Sequence, residues 1–376
     1  TKFTDLEVSV QSRLLYNCCK AYPERVDLDW LEANPGRLFH TDTMLQDRGL
    51  MLDNKSCVSC HHGCYKYEEQ GLPSQRQQHK NTTKISDPQA PLSTLQISLS
   101  TDCNLTCMYC SPQWSSSWHR DIDNNGEYLL DGVPVKQNDK WSNLWAKMKQ
   151  KSRGMESRFF QLLLREIKLS TGLQKVTLLG GEPLLNNQLD QVLEHVHGKK
   201  INIVTGLGVS HARLRQILQI IKGMDVSFSI SAEATGPLFE LIRHGVTWSD
   251  FRERVSMIEE NGNSIQFIST ISNLSVLGFN DFYDLYSKDH DIILNTLSDT
   301  AWMMPHVLDH RSKNDFIDST QNKHNLPEFN TILDMMKKTP EDKDRINTGD
   351  YLKQFSSRRS IDLDFLPAHF LKWCGL

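Results

Sequence analysis

The chain has 376 residues, with 42 basic against 46 acidic side chains and a net charge of −4. That length suits one large α/β domain with a small appendage. The charge excludes a global electrostatic drive toward nucleic acid or anionic membrane, leaving only a local basic groove open. Hydrophobic residues make up 38% and charged residues 23%, the balance of a soluble protein, and no apolar run approaches the ~18 residues of a membrane span. The opening Thr1-Lys2-Phe3-Thr4-Asp5-Leu6-Glu7 mixes charge without an apolar core, so no signal peptide and a cytoplasmic location are expected. Nine cysteines in such a chain point to metal ligation rather than to a disulfide framework.

Residues 1–90 are polar and carry Cys18, Cys19, Cys57, Cys60 and Cys64. Little regular structure beyond short helical stretches is expected there. Grouped cysteines can order such a segment around a metal, because ligation supplies folding energy that a small core lacks. A metal-stapled lobe over 1–90 is therefore expected, with 81–91 as its linker.

From Leu92 the pattern changes. Strands are predicted at 95–100, 175–179, 201–205, 225–230 and 264–271, and helices at 157–169, 187–197, 212–222 and 249–261. Their alternation argues for an α/β fold with a parallel sheet and crossover helices, of five or six units rather than a full eight. This body is expected over 91–300, followed by a helical extension over 301–376 with a helix near 326–338. Between the first strand and its helix, residues 111–155 form an insertion far longer than the usual few-residue connection. With Trp114, Trp118, Trp141 and Trp145 it reads as a lid or substrate wall, or else as a tryptophan-anchored surface excursion.

The string Cys103-Asn-Leu-Thr-Cys107-Met-Tyr-Cys110 directly follows the first predicted strand. Three thiolates on one tight loop can hold three irons of a cubane cluster and leave the fourth open to substrate or cofactor. A zinc knuckle favours paired spacings with a fourth ligand instead. The spacing, with the aromatic Tyr109 before the last cysteine, resembles the radical S-adenosylmethionine (SAM) superfamily. The resemblance implies a partial (β/α)6 barrel and a 4Fe–4S cluster whose open iron chelates SAM. Reductive cleavage would then give a 5′-deoxyadenosyl radical that abstracts hydrogen from a substrate, with Cys103, Cys107 and Cys110 carrying that chemistry.

Gly180-Gly181-Glu182-Pro183 closes the second strand and matches the family motif that holds the SAM amino group. Adjacent glycines admit close backbone approach, and a carboxylate can accept from an ammonium. Fainter echoes stand at later strand ends. Thr205-Gly206 lacks the usual intervening Asn, Ser231 and Glu233 are candidates for ribose or substrate, and Asn273 for adenosine. Arg243, in Leu241-Ile242-Arg243-His244-Gly245, resembles a run in relatives that modify peptides. It reads either as a solvated helix end or as a partner for a substrate or SAM carboxylate.

Cys57-Val-Ser-Cys60-His-His-Gly-Cys64, followed by Glu68, Gly71, Ser74 and Arg76, resembles twitch- and SPASM-type proteins of the same superfamily. That implies an auxiliary iron–sulfur cluster on Cys57, Cys60 and Cys64 with Cys18 or Cys19; a structural zinc drawing on the same groups, His61 and His62 included, is the alternative. Cys374 reads as a lone thiol. The implied partners are SAM, an electron donor such as flavodoxin or ferredoxin, and a peptide, protein or small-molecule substrate. A nucleoside or nucleic acid is the second substrate reading, supported by stacking tryptophans and by Arg358-Arg359 as a small basic spot. A non-catalytic iron–sulfur or zinc scaffold is the third.

Overall fold

Regular structure begins earlier than the polar N-terminal segment suggests. Strand β1 (Asp5–Ser9) alternates buried Leu6 and Val8 with half-buried Asp5, Glu7 and Ser9. β2 (Leu14–Tyr16) and β3 (Glu24–Arg25) follow it antiparallel. β1 lies parallel to β4 (Thr94–Ser98), with Leu6 opposite Leu95 and Val8 opposite Ile97. The expectation of helices alone over 1–90 therefore fails, although helices Leu28–Ala33 and Asp42–Leu52 are present. A two-residue period lasting five positions, with acids on its outer face, is too brief to stand out in a polar sequence.

In the computed structural model the described residues are 2–18, 21–69, 71, 74, 76–77, 87–135, 155–297, 300–320 and 327–376. They divide into two units, one made of Thr1–Thr101, Leu144–Val204 and Gln216–Ser227, the other of Asp102–Asn143, Thr205–Arg215 and Phe228–Leu376. In the first, β4 is followed in parallel by β5 (Lys175–Leu179) and β6 (Lys200–Thr205). Between them helix Glu156–Leu169 buries Phe159, Phe160, Leu163 and Ile167 on one face. The same helix buries Glu166, whose carboxylate accepts from the Gly36 and Leu38 amides at 3.0 and 3.1 Å and so ties the 36–38 turn to the helix.

β7 (Val226–Ser231) runs through the division between the units. At its start the Ser227 hydroxyl reaches Ile201 O and Asn202 Oδ1, in the first unit; at its end Ala232 N donates to Ile268 O, in the second. There β8 (Ser264–Ile271) buries Ile265, Phe267, Ser269 and Ile271 in strict alternation and pairs parallel with β9 (Asp291–Thr296). Helix Trp248–Glu260 starts at Thr247, whose hydroxyl caps the Asp250 amide. The parallel α/β sheet with crossover helices stands, and β9 supplies the sixth parallel unit. The C-terminal segment is helical as expected, with Pro327–Met336 near the predicted place, and with His310–Ser319, Asp342–Arg359 and Ala368–Cys374 beside it.

Candidate active site

The three cysteines sit on the loop leading into helix Ser116–Asn125, in the second unit. Cys103 and Cys107 are buried and Cys110 half-buried, and all three are thiols. The start of the helix holds the loop. Ser115 Oγ donates to Leu105 O at 2.8 Å, Ser117 Oγ to Cys103 O at 2.7 Å, and Ser116 Oγ takes the Cys103 amide at 3.1 Å. Trp118 is fully buried, and its Nε1–H donates to Cys107 O at 2.9 Å. From the C-terminal helix Tyr351 donates its hydroxyl to Met108 O at 2.6 Å. The Thr106 and Met108 amides bond His244 O and Ile242 O at 2.8 and 2.9 Å. Gly245, at φ +116°, lets the chain pass so close that a Cβ there would lie 2.8 Å from Asn104 O.

Electrostatically the loop is a poor place for three bare thiolates. Burial pushes the Cys110 thiol up, and the charges of Cys107 and Cys103 push it further. Burial also raises Cys107, against a pull downward from Arg243. A cationic metal centre answers both penalties by neutralising the thiolates together. The donor set therefore fits a cluster held by three sulfurs.

Behind the loop is a buried ion pair. Arg243 Nε and Nη2 bond the two Glu233 carboxylate oxygens at 3.0 and 2.7 Å. Tyr109 donates its hydroxyl to the same carboxylate at 3.0 and 3.1 Å, and Arg243 lies 5.1 Å above the Tyr109 ring. The third guanidinium nitrogen, Nη1, reaches Cys107 Sγ at 3.8 Å. Arg243 is thus not a solvated helix end. Glu233, with no exposed surface, has its carboxylate filled by these two partners.

The other candidates are placed as follows. Gly180 takes φ +140°, and a Cβ on it would meet Ser100 O at 2.7 Å, while Gly181 N donates to that oxygen at 3.0 Å. Glu182 is buried and caps the turn Pro183–Leu185 through Leu184 N at 3.2 Å. Thr205 Oγ1 accepts from Leu207 N at 2.8 Å. Ser231 ends β7 half-buried. Asn273 is buried, and its amide donates to Trp302 O and Val307 O at 3.0 and 3.3 Å, which holds the 302–307 loop.

The structure places part of the insertion and corrects the basic spot. Trp118 is packed under the cysteine loop and offers no substrate wall, whereas Trp114 is 42% exposed; Trp141 and Trp145 lie outside the described residues. Arg358 and Arg359 both pair with Asp121, at 3.0 and 3.2 Å, and stack over Tyr128 and Phe355, at 3.8 Å each. Both side chains are largely buried and engaged with Asp121, so they do not present the exposed basic spot the sequence suggests.

In the first unit Cys57, Cys60 and Cys64 are all buried along 57–64. A hydrogen bond from Cys60 pulls the Cys57 thiol down, and the Lys2 ammonium adds to that pull. Lys2 is itself buried, 2.7 Å from Asp47 and 3.7 Å from Cys57 Sγ, and Ser59 bonds both Lys2 and Asp47. Glu68, Ser74 and Arg76, singled out by spacing, close on one another: Glu68 accepts from Ser74 Oγ and from both Arg76 Nε, at 3.1 Å, and Arg76 Nη2. Gly71 makes the turn between them at φ +72°. Cys18 lies beside Glu7, whose carboxyl is pushed up by burial and then by Cys18. Cys19 and the His62 side chain lie outside the described residues. Cys374 is buried, which raises its thiol. Sequence reasoning missed Lys2, Asp47 and Tyr351, for which no local motif gives a signal.

Residues 97–286 match the Radical SAM superfamily. The chain is 23% identical over 233 residues to GTP 3′,8-cyclase of Sulfurovum sp. (strain NBC37-1), covering 62% of this chain and 56% of that protein. It is 23% identical over 218 residues to the probable GTP 3′,8-cyclase of Methanococcus aeolicus, covering 55% of this chain and 59% of that one. The chain thus spans little more than half the length of either relative. Among solved structures it is similar to anSMEcpe with bound AdoMet, at 13% identity and a TM-score of 0.40 over 66% of this chain and 61% of that one. SuiB of Streptococcus suis bound to precursor peptide SuiA gives 15%, 0.35, 86% and 70%; at such scores neither superposition decides fold or substrate. The match to the family over half its length, on the segment that carries the cysteine triplet and Gly180–Pro183, shows that this chain belongs to the radical SAM superfamily.

Proposed function

We propose that the protein reductively cleaves SAM and uses the resulting radical to abstract hydrogen from a peptide, a protein or a small metabolite. The observation that carries this reading is the loop of three closely spaced thiols, two buried and one half-buried, where burial penalises the thiolates of Cys107 and Cys110 unless a cationic centre neutralises them. Cys103, Cys107 and Cys110 would hold the 4Fe–4S cluster, and Gly180, Gly181 and Glu182 would receive the SAM amino group. When bound, cluster and SAM supply the reducing electron and the 5′-deoxyadenosyl radical. The protein residues anchor the loop backbone, bury the sulfurs and exclude water. Thr205, Ser231 and Asn273 stand at strand ends, where parallel α/β sheets bind ligands.

Cys57, Cys60 and Cys64 would hold an auxiliary cluster in an N-terminal lobe. Buried Lys2 beside Cys57 favours thiolates there. Zinc on the same sulfurs is the competing assignment.

A nucleotide substrate is the second reading, favoured by the two relatives named as GTP 3′,8-cyclases. Anaerobically reconstituted protein, given dithionite and SAM, should release 5′-deoxyadenosine, and a Cys103/Cys107/Cys110 triple alanine variant should release none. Absence of product from iron-loaded wild-type protein refutes the enzymatic reading. Stimulation by GTP, against stimulation by peptides, separates the two substrate classes. Iron, sulfide and zinc content of the triple variant reports the N-terminal site.

A further inference from the structure

We infer that Arg243 sets the redox potential of the SAM-binding cluster through Cys107, and that Glu233 and Tyr109 are positioning residues that aim and partly offset its charge. The inference rests on the assignment of the cluster to Cys103, Cys107 and Cys110. Its geometric basis is the division of labour within one guanidinium. Nε and Nη2 are committed to Glu233 in a two-bond fork, at 3.0 and 2.7 Å, which fixes the plane of the group. That orientation leaves Nη1 directed at Cys107 Sγ, 3.8 Å away. The Tyr109 hydroxyl on Glu233 and the Tyr109 ring beneath the guanidinium restrain the pair further. Because Tyr109 lies between Cys107 and Cys110 in the loop, the pair is fastened to the ligand loop itself.

Burial makes the arrangement consequential. Arg243 and Glu233 side chains are 7% and 0% exposed, so solvent screens their fields weakly. A buried ion pair is weak evidence of stabilisation, since apolar residues of similar size often serve stability as well or better. A positive charge donating to a cluster sulfur acts differently. It favours the more negative, reduced state of the centre and raises its potential. Glu233 works in the opposite sense, by cancelling part of that charge. The site therefore holds a balanced pair whose two halves shift the potential in opposite directions.

The opposition supplies the test. Reconstituted Arg243→Gln, Arg243→Lys and Glu233→Gln proteins are titrated anaerobically with dithionite, and the reduced-cluster signal is read by electron paramagnetic resonance beside iron and sulfide content. The midpoint should move negative in Arg243→Gln and positive in Glu233→Gln. It should stay nearer wild type in Arg243→Lys, which keeps the charge and loses the fork. Shifts of one sign in both Gln variants, or no shift in loaded protein, overturn the inference. If Arg243→Gln fails to fold or load, Glu233→Gln alone decides: a loaded cluster without a positive shift refutes the proposal. Wild-type protein with no such signal would instead defeat the cluster assignment, which keeps the two failures apart.

Discussion

Replacing Trp118 by Phe isolates one hydrogen bond of the cysteine loop. The indole has no exposed surface, packs near Tyr128 and Phe355 at 5.7 and 6.0 Å between ring centroids, and donates to Cys107 O at 2.9 Å. A phenyl ring fills most of that space but leaves the carbonyl without its indole donor. Cys107 O keeps a contact from the Cys110 amide at 2.9 Å, so the loss falls toward the lower part of the ~1–3 kcal/mol range for a buried group deprived of a partner. Trp118→Ala adds a cavity, and large aromatic truncations cost about 3–5 kcal/mol. With a urea m-value of ~3 kcal/mol/M, the Phe variant should unfold about 0.3–0.7 M earlier than wild type and the Ala variant at least 1 M earlier. Unfolding of the metal-free protein is followed by far-ultraviolet circular dichroism, and iron release from loaded protein by a chelator absorbance assay. Wild-type stability and release rate in Trp118→Phe refute the claim that the indole restrains the loop.

Gly245→Ala should destabilise by about 1–3 kcal/mol from backbone strain alone, since its φ is +116°. The added Cβ also meets Asn104 O at 2.8 Å, so iron retention should fall along with the urea midpoint, whereas Gly262→Ala, with φ +81° and open space around its Cβ position, should lower the midpoint without changing iron retention. His40 provides a pH dependence. Burial lowers its pKa and nearby Arg48 and Arg37 lower it further, so between that lowered value and ~6.5 the unfolded chain binds more protons than the folded one. Its contribution is intact above ~6.5 and lost as pH falls through that window, so His40→Gln should reduce the difference between urea midpoints measured at about pH 8 and about pH 5. An unchanged difference counts against the assigned burial.

The cysteine triplet was legible because its spacing is local: three cysteines in eight positions after a strand need no distant partner to be recognised. Glu68, Ser74 and Arg76 were legible for the same reason, and their mutual hydrogen bonds give the spacing a physical cause. Glu233 was less readable. A carboxylate at a strand end looks available for a ligand until an arginine ten positions later takes both of its oxygens. Tyr351 was invisible, since its partner Met108 lies 243 residues earlier and nothing around either residue announces the pairing. Arg358-Arg359 misled because charge in a sequence carries no sign of its burial, and both side chains turn inward onto the one carboxylate of Asp121. The N-terminal strands were missed because pairing with β4 supplies order that five mixed residues do not encode alone.

The carbonyls of Cys103, Leu105, Cys107 and Met108 are each met by a hydroxyl or an indole from outside the loop. None of those donors is a sulfur, so these four anchors ask nothing of the sulfurs, although Leu105 N does donate to Cys103 Sγ at 3.4 Å. If the three sulfurs hold the proposed cluster, its loss would leave those four anchors of the loop in place. Damage to such a centre would then be a matter of replenishment rather than of refolding, for as long as the thiols stay reduced.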